Sequence, residues 1–172
     1  MTLIQIDAHA DLRDELDGEP YSHACAIARS LDEGALAVHQ VGIRAFCRQE
    51  MDLIDSDDRI HTWFAKDVMS PSTGAKAWTD WLDSLTHIDG PVHLTIDIDG
   101  LDGSLVPATG TPVPGGLSFW HVVQTIETVF SNCDVISADV NEIVPQDDTP
   151  LTQFTAAMIA TKVAAAQIAR LR

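Results

Sequence analysis

Positive charge is scarce in this chain. It has 10 lysine and arginine residues against 26 aspartate and glutamate residues, which gives a formal net charge of −16. So acidic a protein repels the phosphate backbone of nucleic acids and the surface of anionic membranes, and we expect neither as a partner. We expect a cationic ligand instead, either a divalent metal ion or a small cationic molecule.

Cysteine is rare as well. Cys25, Cys47 and Cys133 are odd in number and show no C-x-x-C spacing, so we expect packing residues rather than disulfides or thiolate metal ligands. No apolar run approaches the length of a transmembrane helix, and no basic and then apolar leader opens the sequence. Together these absences predict a cytoplasmic protein.

Apolar strand-like segments alternate with segments of helical spacing along the chain. Strands are predicted at residues 3–6, 36–43, 60–64, 92–98 and 134–140. Helices are predicted at residues 22–31, 70–85, 118–130 and 152–171, and residues 52–58 form a loop or a short helix. This alternation predicts an α/β protein with three αβα layers and a mainly parallel sheet of about five strands. The 172 residues suit a single domain spanning residues 1–172.

Acidic residues and a histidine follow two of the predicted strands. Asp7, His9 and Asp11 come at the end of the first strand, and Asp97 and Asp99 come at the end of the fourth. The carboxyl ends of parallel strands share one edge of the sheet, where α/β proteins bind ligands. Carboxylates mixed with imidazole suit Mn²⁺, Mg²⁺, Fe²⁺ or Zn²⁺. Five candidate ligands favour two metal ions over one.

Three motifs in this order resemble the ureohydrolases, the arginase and agmatinase family. They are DAHAD at residues 7–11, DIDGLD at 97–102 and TGTPVPGGL at 109–117. Residues 12–23 are more similar to agmatinase than to arginase. The resemblance implies an arginase-like fold and an Mn²⁺-dependent hydrolase of polyamine metabolism. Such an enzyme cleaves a linear guanidino or amidino C–N bond and releases urea, using a hydroxide held between two manganese ions.

The resemblance also implies roles for individual residues. The metal ligands would be Asp7, His9, Asp11, Asp97 and Asp99, with Asp7 and Asp97 as the bridging carboxylates. His23 would shuttle protons or orient the substrate, Glu142 would pair with the guanidinium, and Thr111 would lie near the substrate. The role of Glu142 also has a physical basis, because a guanidinium stays cationic and a carboxylate can bind it through two hydrogen bonds.

Simpler interpretations stand beside these roles. His23 could be only a histidine at a helix start, and Asp102 could brace its loop rather than touch a ligand. The tryptophans of residues 78–81 are expected to pack in the core rather than form a substrate box. We expect structural or solvent-exposed roles for the remaining histidines, which are His39, His61, His87, His93 and His121.

The sequence departs from the family pattern at its start. Ureohydrolases carry an N-terminal portion with further strands and a G-G-D-H-S motif, whose histidine is a metal ligand; this sequence lacks both. The chain could be a piece of an ordinary enzyme, one half of a two-chain enzyme, or a degenerate relative. We therefore expect a homo-oligomer or a partner chain that supplies the missing portion. The alternative function is a catalytically incomplete metal-binding or assembly module.

Overall fold

Short apolar segments alternate with helices in the computed structural model, which describes residues 1–170. The strands are β1 (Thr2–Ile6), β2 (Ala37–Ile43), β3 (Ile60–Phe64), β4 (Pro91–Asp97) and β5 (Asp134–Asn141). The helices are α1 (Ala26–Asp32), α2 (Arg48–Ser56), α3 (Ala65–Val68), α4 (Gly74–Leu85), α5 (Phe119–Asn132) and α6 (Leu151–Arg170). Two 3-10 turns, His23–Cys25 and Ile98–Gly100, precede α1 and follow β4.

The five strands form one parallel sheet in the order β3-β2-β1-β4-β5. Side chains alternate between the faces of a strand, so Ile4 and Ile6 enter one core while Leu3 enters the other. Helices α4, α5 and α6 cover the first face, and α1 lies over β1 and β2 on the second. The predicted three-layer α/β architecture is confirmed. Because all strands are parallel, their carboxyl ends meet at one edge.

Two predicted segments differ in detail from the structure. Residues 52–58 were left open between loop and helix, and they belong mostly to α2, which begins at Arg48. The earlier start follows from Glu50, whose carboxylate accepts a hydrogen bond from the Cys47 backbone at 2.7 Å and caps the helix. The predicted helix at residues 22–31 is a 3-10 turn followed by α1. The predicted end of the last helix, Leu171, lies outside the described residues.

The tryptophans of α4 are core residues, as predicted. Trp81 is fully buried, and its indole donates a hydrogen bond to the hydroxyl of Thr125 at 3.0 Å. Trp78 packs at the edge of the same core and donates to Gln124 on α5. These bonds satisfy both indole groups without a ligand.

A groove of about 670 Å³ separates β5 from α6. Its lining is largely apolar, and Ile136 on β5 remains 59% exposed. Helix α6 carries only two charged residues, Lys162 and Arg170, in its twenty positions. It also exposes Phe154 and Met158. Across residues 1–170, no helix combines the length and apolar character needed to cross a bilayer.

Candidate metal centre

The ends of β1 and β4 bring three predicted ligands into contact. Asp7 and Asp99 are both almost completely buried, at 3% and 1% exposure. The His9 imidazole Nδ1 lies 3.1 Å from Asp99 Oδ2 and 3.5 Å from Asp7 Oδ1. Backbone groups hold both carboxylates, because His9 N donates to Asp7 Oδ1 at 2.6 Å and Ala8 N donates to Asp99 Oδ1 at 3.1 Å. One potential ligand atom from each of these three side chains lies within 4.8 Å of the others.

A second group of carboxylates shares Asp99 with the first. Asp97, Asp99 and Glu142 each offer an oxygen within 4.8 Å of the other two. Glu142 is the residue after β5, so the two groups together draw on the ends of three neighbouring strands, β1, β4 and β5. Asp11 belongs to neither group but lines the same cavity. The structure therefore brings all five predicted metal ligands and Glu142 to one edge of the sheet.

Backbone geometry at this edge is unusual in two respects. A side chain at Gly42 would meet the Asp7 carbonyl at 2.9 Å, and one at Gly100 would meet the Asp7 amide at 2.8 Å. Only glycine lets the neighbouring segments pack this closely against Asp7. Asp11 and Glu142 adopt left-handed conformations, with φ of 54° and 60°. Such conformations are costly outside glycine and concentrate at functional sites.

A cavity of about 350 Å³ opens above the carboxylates. His23 and Thr111 line it, as does Glu142. The Thr111 hydroxyl donates to Asp99 Oδ2 at 3.2 Å, which ties the loop at residues 109–117 to the cluster. The His23 side chain makes no hydrogen bond within the part of the chain that the structure describes. His23 lies at the cavity, where a proton-transfer residue is expected, and its role there stays a prediction.

The crowded carboxylates resist ionisation. Burial, followed by the charge of nearby Asp7, raises the pKa of Asp97 to about 10 and that of Asp11 to about 8. Burial also raises the pKa of Asp7 to about 6, although hydrogen bonds from His9 and Gln5 oppose the shift. Because the cluster contains more carboxylates than cations, Asp97 and Asp11 favour their protonated forms near neutral pH when no metal ion is bound.

His9 is the cationic partner inside the cluster. Hydrogen bonds to Asp7 and then Asp99 raise the pKa of His9 to about 10. Burial alone would raise the pKa of Asp99, but the hydrogen bond and charge of His9 outweigh it, and the pKa of Asp99 is lowered. The ion pair with His9 therefore favours the ionised form of Asp99.

The donor set fits divalent cations. Carboxylate oxygens with one imidazole nitrogen are the donors that Mn²⁺ and similar ions accept, and no cysteine lies in either group of candidate ligands. The raised pKa values indicate an excess of negative charge that bound cations would offset in place of protons. Asp99 is the residue that the two groups have in common.

The supporting residues Gln5, Gln40 and Glu50, and also Arg44, were not predicted from the sequence. Gln5 and Gln40 form a buried hydrogen-bonded chain that reaches Asp7. Buried Glu50 accepts the backbone N–H of Leu12 at 3.1 Å and so holds the loop after Asp11. Polar residues inside apolar strands were the available signal for the glutamines, since Gln5 lies two positions from Asp7 on the same face.

Arg44 fastens the long loop that follows β4. Its guanidinium donates to the backbone carbonyls of Asp99 at 2.8 Å and Val113 at 2.6 Å. The carboxylate of Asp102 has a matching role: it accepts the Gly115 amide at 2.9 Å and the Ser104 hydroxyl at 2.6 Å. Hydrogen bonds from Ser104 lower the pKa of Asp102 to about 2. Of the two interpretations of Asp102, the structure supports the loop brace.

The parallel sheet and the carboxylates at its edge define an α/β protein with a candidate site for divalent metal ions. The Arginase family model matches residues 1–166, and the chain belongs to the arginase family. It is 35% identical over 162 residues to the N(1)-aminopropylagmatine ureohydrolase of Synechocystis, which covers 94% of this chain. It is also 35% identical over 156 residues to the agmatinase of Pyrococcus horikoshii, across 91% of this chain.

A solved structure shows the same architecture. The agmatine ureohydrolase of Thermoplasma volcanium superposes with a TM-score of 0.79 and 28% identity over 96% of this chain. The chain spans about half the length of the curated relatives it matches, 51% of the Synechocystis protein and 52% of the Pyrococcus protein. It covers 54% of the Thermoplasma chain.

Proposed function

We propose that this chain carries the metal-binding and guanidinium-binding side of a ureohydrolase that releases urea from an agmatine-like substrate. The convergence of Asp7, His9, Asp97, Asp99 and Glu142 on one edge of the sheet supports the proposal. Membership of the arginase family and similarity to two ureohydrolases support it independently. Residues 1–172 would act as one partial domain of such an enzyme.

Two Mn²⁺ ions are the proposed cofactor. Asp7 and Asp97 would contribute to both ions, His9 and Asp99 would complete the ligands of one, and Asp11 would bind the other. When bound, the ions would supply a water nucleophile that is activated near neutral pH, together with stabilisation of developing negative charge. The buried Asp7 and Asp99 contribute by staying fixed through their backbone hydrogen bonds.

Glu142 is the proposed guanidinium partner. A guanidinium offers planar N–H donors that match a carboxylate, and the acidic cavity attracts cations. Glu142 lines the cavity from the end of β5 and would orient the guanidinium towards the carboxylate cluster. His23, which lines the same cavity, would accept or deliver a proton at a ring nitrogen, and Thr111 would contact the substrate from its loop.

The names of two relatives support the proposed substrate class. One is named for N(1)-aminopropylagmatine and another for agmatine, both of which are cationic guanidino compounds. The formal charge of −16 favours such substrates over zwitterionic arginine. Hydrolysis of either compound would place the protein in polyamine metabolism. The three free cysteines suit the reducing cytoplasm that we propose for it.

A urea assay tests the proposal. Purified protein loaded with Mn²⁺ is incubated with agmatine, N(1)-aminopropylagmatine and arginine, and urea is measured colorimetrically. We expect urea from at least one of the first two substrates and its loss in Asp97→Ala. Asp52→Ala, which removes an exposed carboxylate outside the cluster, is the matched control and should retain activity. Absence of urea from every substrate, both alone and after complementation with a polypeptide that completes the fold, would refute the enzymatic function.

Further polypeptide is the proposed occupant of the groove between β5 and α6. The groove exposes apolar surface on both of its walls, and β5 leaves one side of its backbone unpaired. An exposed apolar surface of this kind is typical of a site that other polypeptide covers. The occupant is a second copy of this chain or a chain that supplies the remaining portion. Sedimentation velocity at several concentrations distinguishes the self-associating case from the hetero-complex.

The open groove also favours a second candidate function. A catalytically incomplete module would bind metal or a partner through the same surfaces without releasing urea. Metal stoichiometry distinguishes the two, because the enzyme is expected to bind two ions per site and the module at most one. Elemental analysis of dialysed protein, performed together with the urea assay, decides between them.

A further inference from the structure

A row of polar side chains crosses the sheet at the level of Gln5, two residues before Asp7 on β1. Gln5 on β1, Gln40 on β2 and Thr62 on β3 are direct neighbours in the strand register. Gln5 and Gln40 are buried, at 1% and 0% exposure, and both interrupt apolar strand segments. Buried amides are tolerated only when they are hydrogen-bonded, so the function of this row can be read from its bonds.

The bonds run in one direction and end on Asp7. The Thr62 hydroxyl donates to Gln40 Oε1 at 3.0 Å, and Gln40 Nε2 donates to Gln5 Oε1 at 2.5 Å. Gln5 Nε2 then donates to Asp7 Oδ2 at 2.8 Å. Asp7 Oδ1 is held by the His9 amide, so each oxygen of this carboxylate has a donor of its own.

A backbone carbonyl fixes the direction of the chain. Gln40 Nε2 also donates to the carbonyl oxygen of Ala10 at 2.8 Å, and a carbonyl can only accept. The Gln40 amide therefore cannot flip without placing two oxygens against each other. Because Gln40 presents its nitrogen to Gln5, Gln5 must present its oxygen to Gln40 and its nitrogen to Asp7.

We propose that Gln5 is the positioning residue that holds the Asp7 carboxylate in its ligand orientation, and that Gln40 and Thr62 set the polarity of the Gln5 amide. The proposal deepens the proposed function, because it assumes that Asp7 binds metal. It assigns a role to two strands, β2 and β3, that contribute none of the proposed metal ligands.

The other half of the same row supplies a matched control. Thr95 on β4 is the register neighbour of Gln5 on its opposite side, but its hydroxyl donates to Asp139 at 2.8 Å and not to Asp7. Thr95→Val therefore removes one hydrogen bond from the row without touching the chain that ends on Asp7. A merely structural role for the row would make Gln5 and Thr95 equivalent.

Two measurements test the proposal. Crystal structures of the metal-free variants report the orientation of Asp7, and isothermal titration with Mn²⁺ reports affinity. In Gln5→Leu we expect the Asp7 carboxylate to change rotamer and Mn²⁺ affinity to fall by roughly 10–100-fold, the usual effect of losing a residue that orients a ligand. Gln40→Met leaves Gln5 present but frees its amide, so it should also weaken binding. The double variant should bind Mn²⁺ no more weakly than Gln5→Leu alone, because both substitutions break the same series of hydrogen bonds.

Each remaining outcome is decisive. Unchanged Mn²⁺ affinity in folded Gln5→Leu, or an equal loss in Thr95→Val, overturns the proposal. If Gln5→Leu fails to fold, Gln40→Met carries the test by the same criteria. If even the unsubstituted chain binds no Mn²⁺, the proposed metal site fails and the crystal structures still decide the positioning role. An unmoved Asp7 then overturns it, and a reoriented Asp7 supports it.

Discussion

The carboxylates on the two sides of the sheet differ in how deeply they are buried and in how many hydrogen bonds they accept. On the β1–β2–β3 side, Asp7 is buried and receives hydrogen bonds on both of its oxygens. On the β4–β5 side, Asp97 is only partly buried and accepts one hydrogen bond, from the Asp99 amide. The pKa of Asp97 is raised to about 10, against about 6 for Asp7, chiefly through burial with too few compensating donors.

The sheet edges repeat this contrast. The β3 edge is short, and α3 follows it directly, with Phe64 packed against Phe46. The β5 edge is longer, exposes Ile136 and borders the apolar groove beneath α6. The comparison teaches that the β4–β5 side is preorganised by this chain only in part. Bound cations and further polypeptide are the expected means of completing it.

The largest expected effect comes from the residue that joins the two sides. Asp99 belongs to both candidate ligand groups, so Asp99→Ala should disrupt both at once. We expect Mn²⁺ affinity to fall by at least about 1,000-fold, or roughly 4 kcal/mol. Isothermal titration measures the change, with Asp52→Ala as the control for the loss of one negative charge. Retention of Mn²⁺ binding within tenfold by Asp99→Ala would place the metal elsewhere.

The pH dependence of metal-free stability should separate Asp97 from Asp7. A carboxyl with a raised folded pKa holds a proton that the unfolded chain releases, so the free energy of unfolding falls as pH rises from about 4 towards that pKa. Between about pH 5 and pH 8, Asp97→Asn should remove roughly 4 kcal/mol of this decline in the free energy of unfolding, and Asp7→Asn should remove roughly 1.4 kcal/mol. Urea unfolding in EDTA, followed by tryptophan fluorescence, measures both. Equal slopes for the two variants would contradict the contrast between the sides.

Arg44 should be the strongest link between β2 and the loop after β4. Lysine cannot reproduce a guanidinium that donates to several carbonyls at once, so Arg44→Lys should lower the free energy of unfolding by roughly 2 kcal/mol. Arg48→Lys, at an exposed pair with Asp52, should change it by less than about 0.5 kcal/mol. Chemical denaturation compares the two. If both substitutions lower the free energy of unfolding by the same small amount, contacts other than those of Arg44 hold the loop.

The smallest expected effect concerns the two edges. A lysine on an exposed edge strand discourages pairing with another chain. If the β5 edge supports self-association, Ile136→Lys should weaken it by about tenfold, or roughly 1.4 kcal/mol. The corresponding substitution His61→Lys, at an exposed position on β3, should leave self-association unchanged. Sedimentation equilibrium reports both, and equal effects would mean that the edges do not differ.

Much of the fold followed from local patterns. Alternating strand-like and helical segments predicted a parallel α/β sheet, and all five strands are present within a few residues of their expected bounds. Helix α2 was left open because its start depends on Glu50, whose carboxylate also binds the distant Leu12 amide. A tertiary hydrogen bond of this kind leaves no periodic trace in the sequence.

The candidate ligands of the site were predicted from the sequence, but the residues that hold them in position were not. Motifs at two strand ends identified Asp7, His9, Asp97 and Asp99, because parallel strands must bring such ends together. Gln40 and Arg44 escaped notice, since their partners lie 30 to 70 residues away in the chain. The roles of His23, Thr111 and Glu142 remain predictions that the proposed assays test.

The sequence by itself determined the chemistry that gathers at the sheet edge, because residue type and strand order are enough to place carboxylates and a histidine together. Only the tertiary structure decided which hydrogen bonds orient those groups, what pKa values they have, and which neighbouring surface stays exposed. Burial and mutual repulsion set the pKa values of Asp7 and Asp97, and a hydrogen-bonded row across three strands orients Asp7. Within residues 1–170, the outer edge of β5 has no strand beside it, and a groove lies between β5 and α6. These properties depend on distances between segments remote in sequence, which local pattern does not encode.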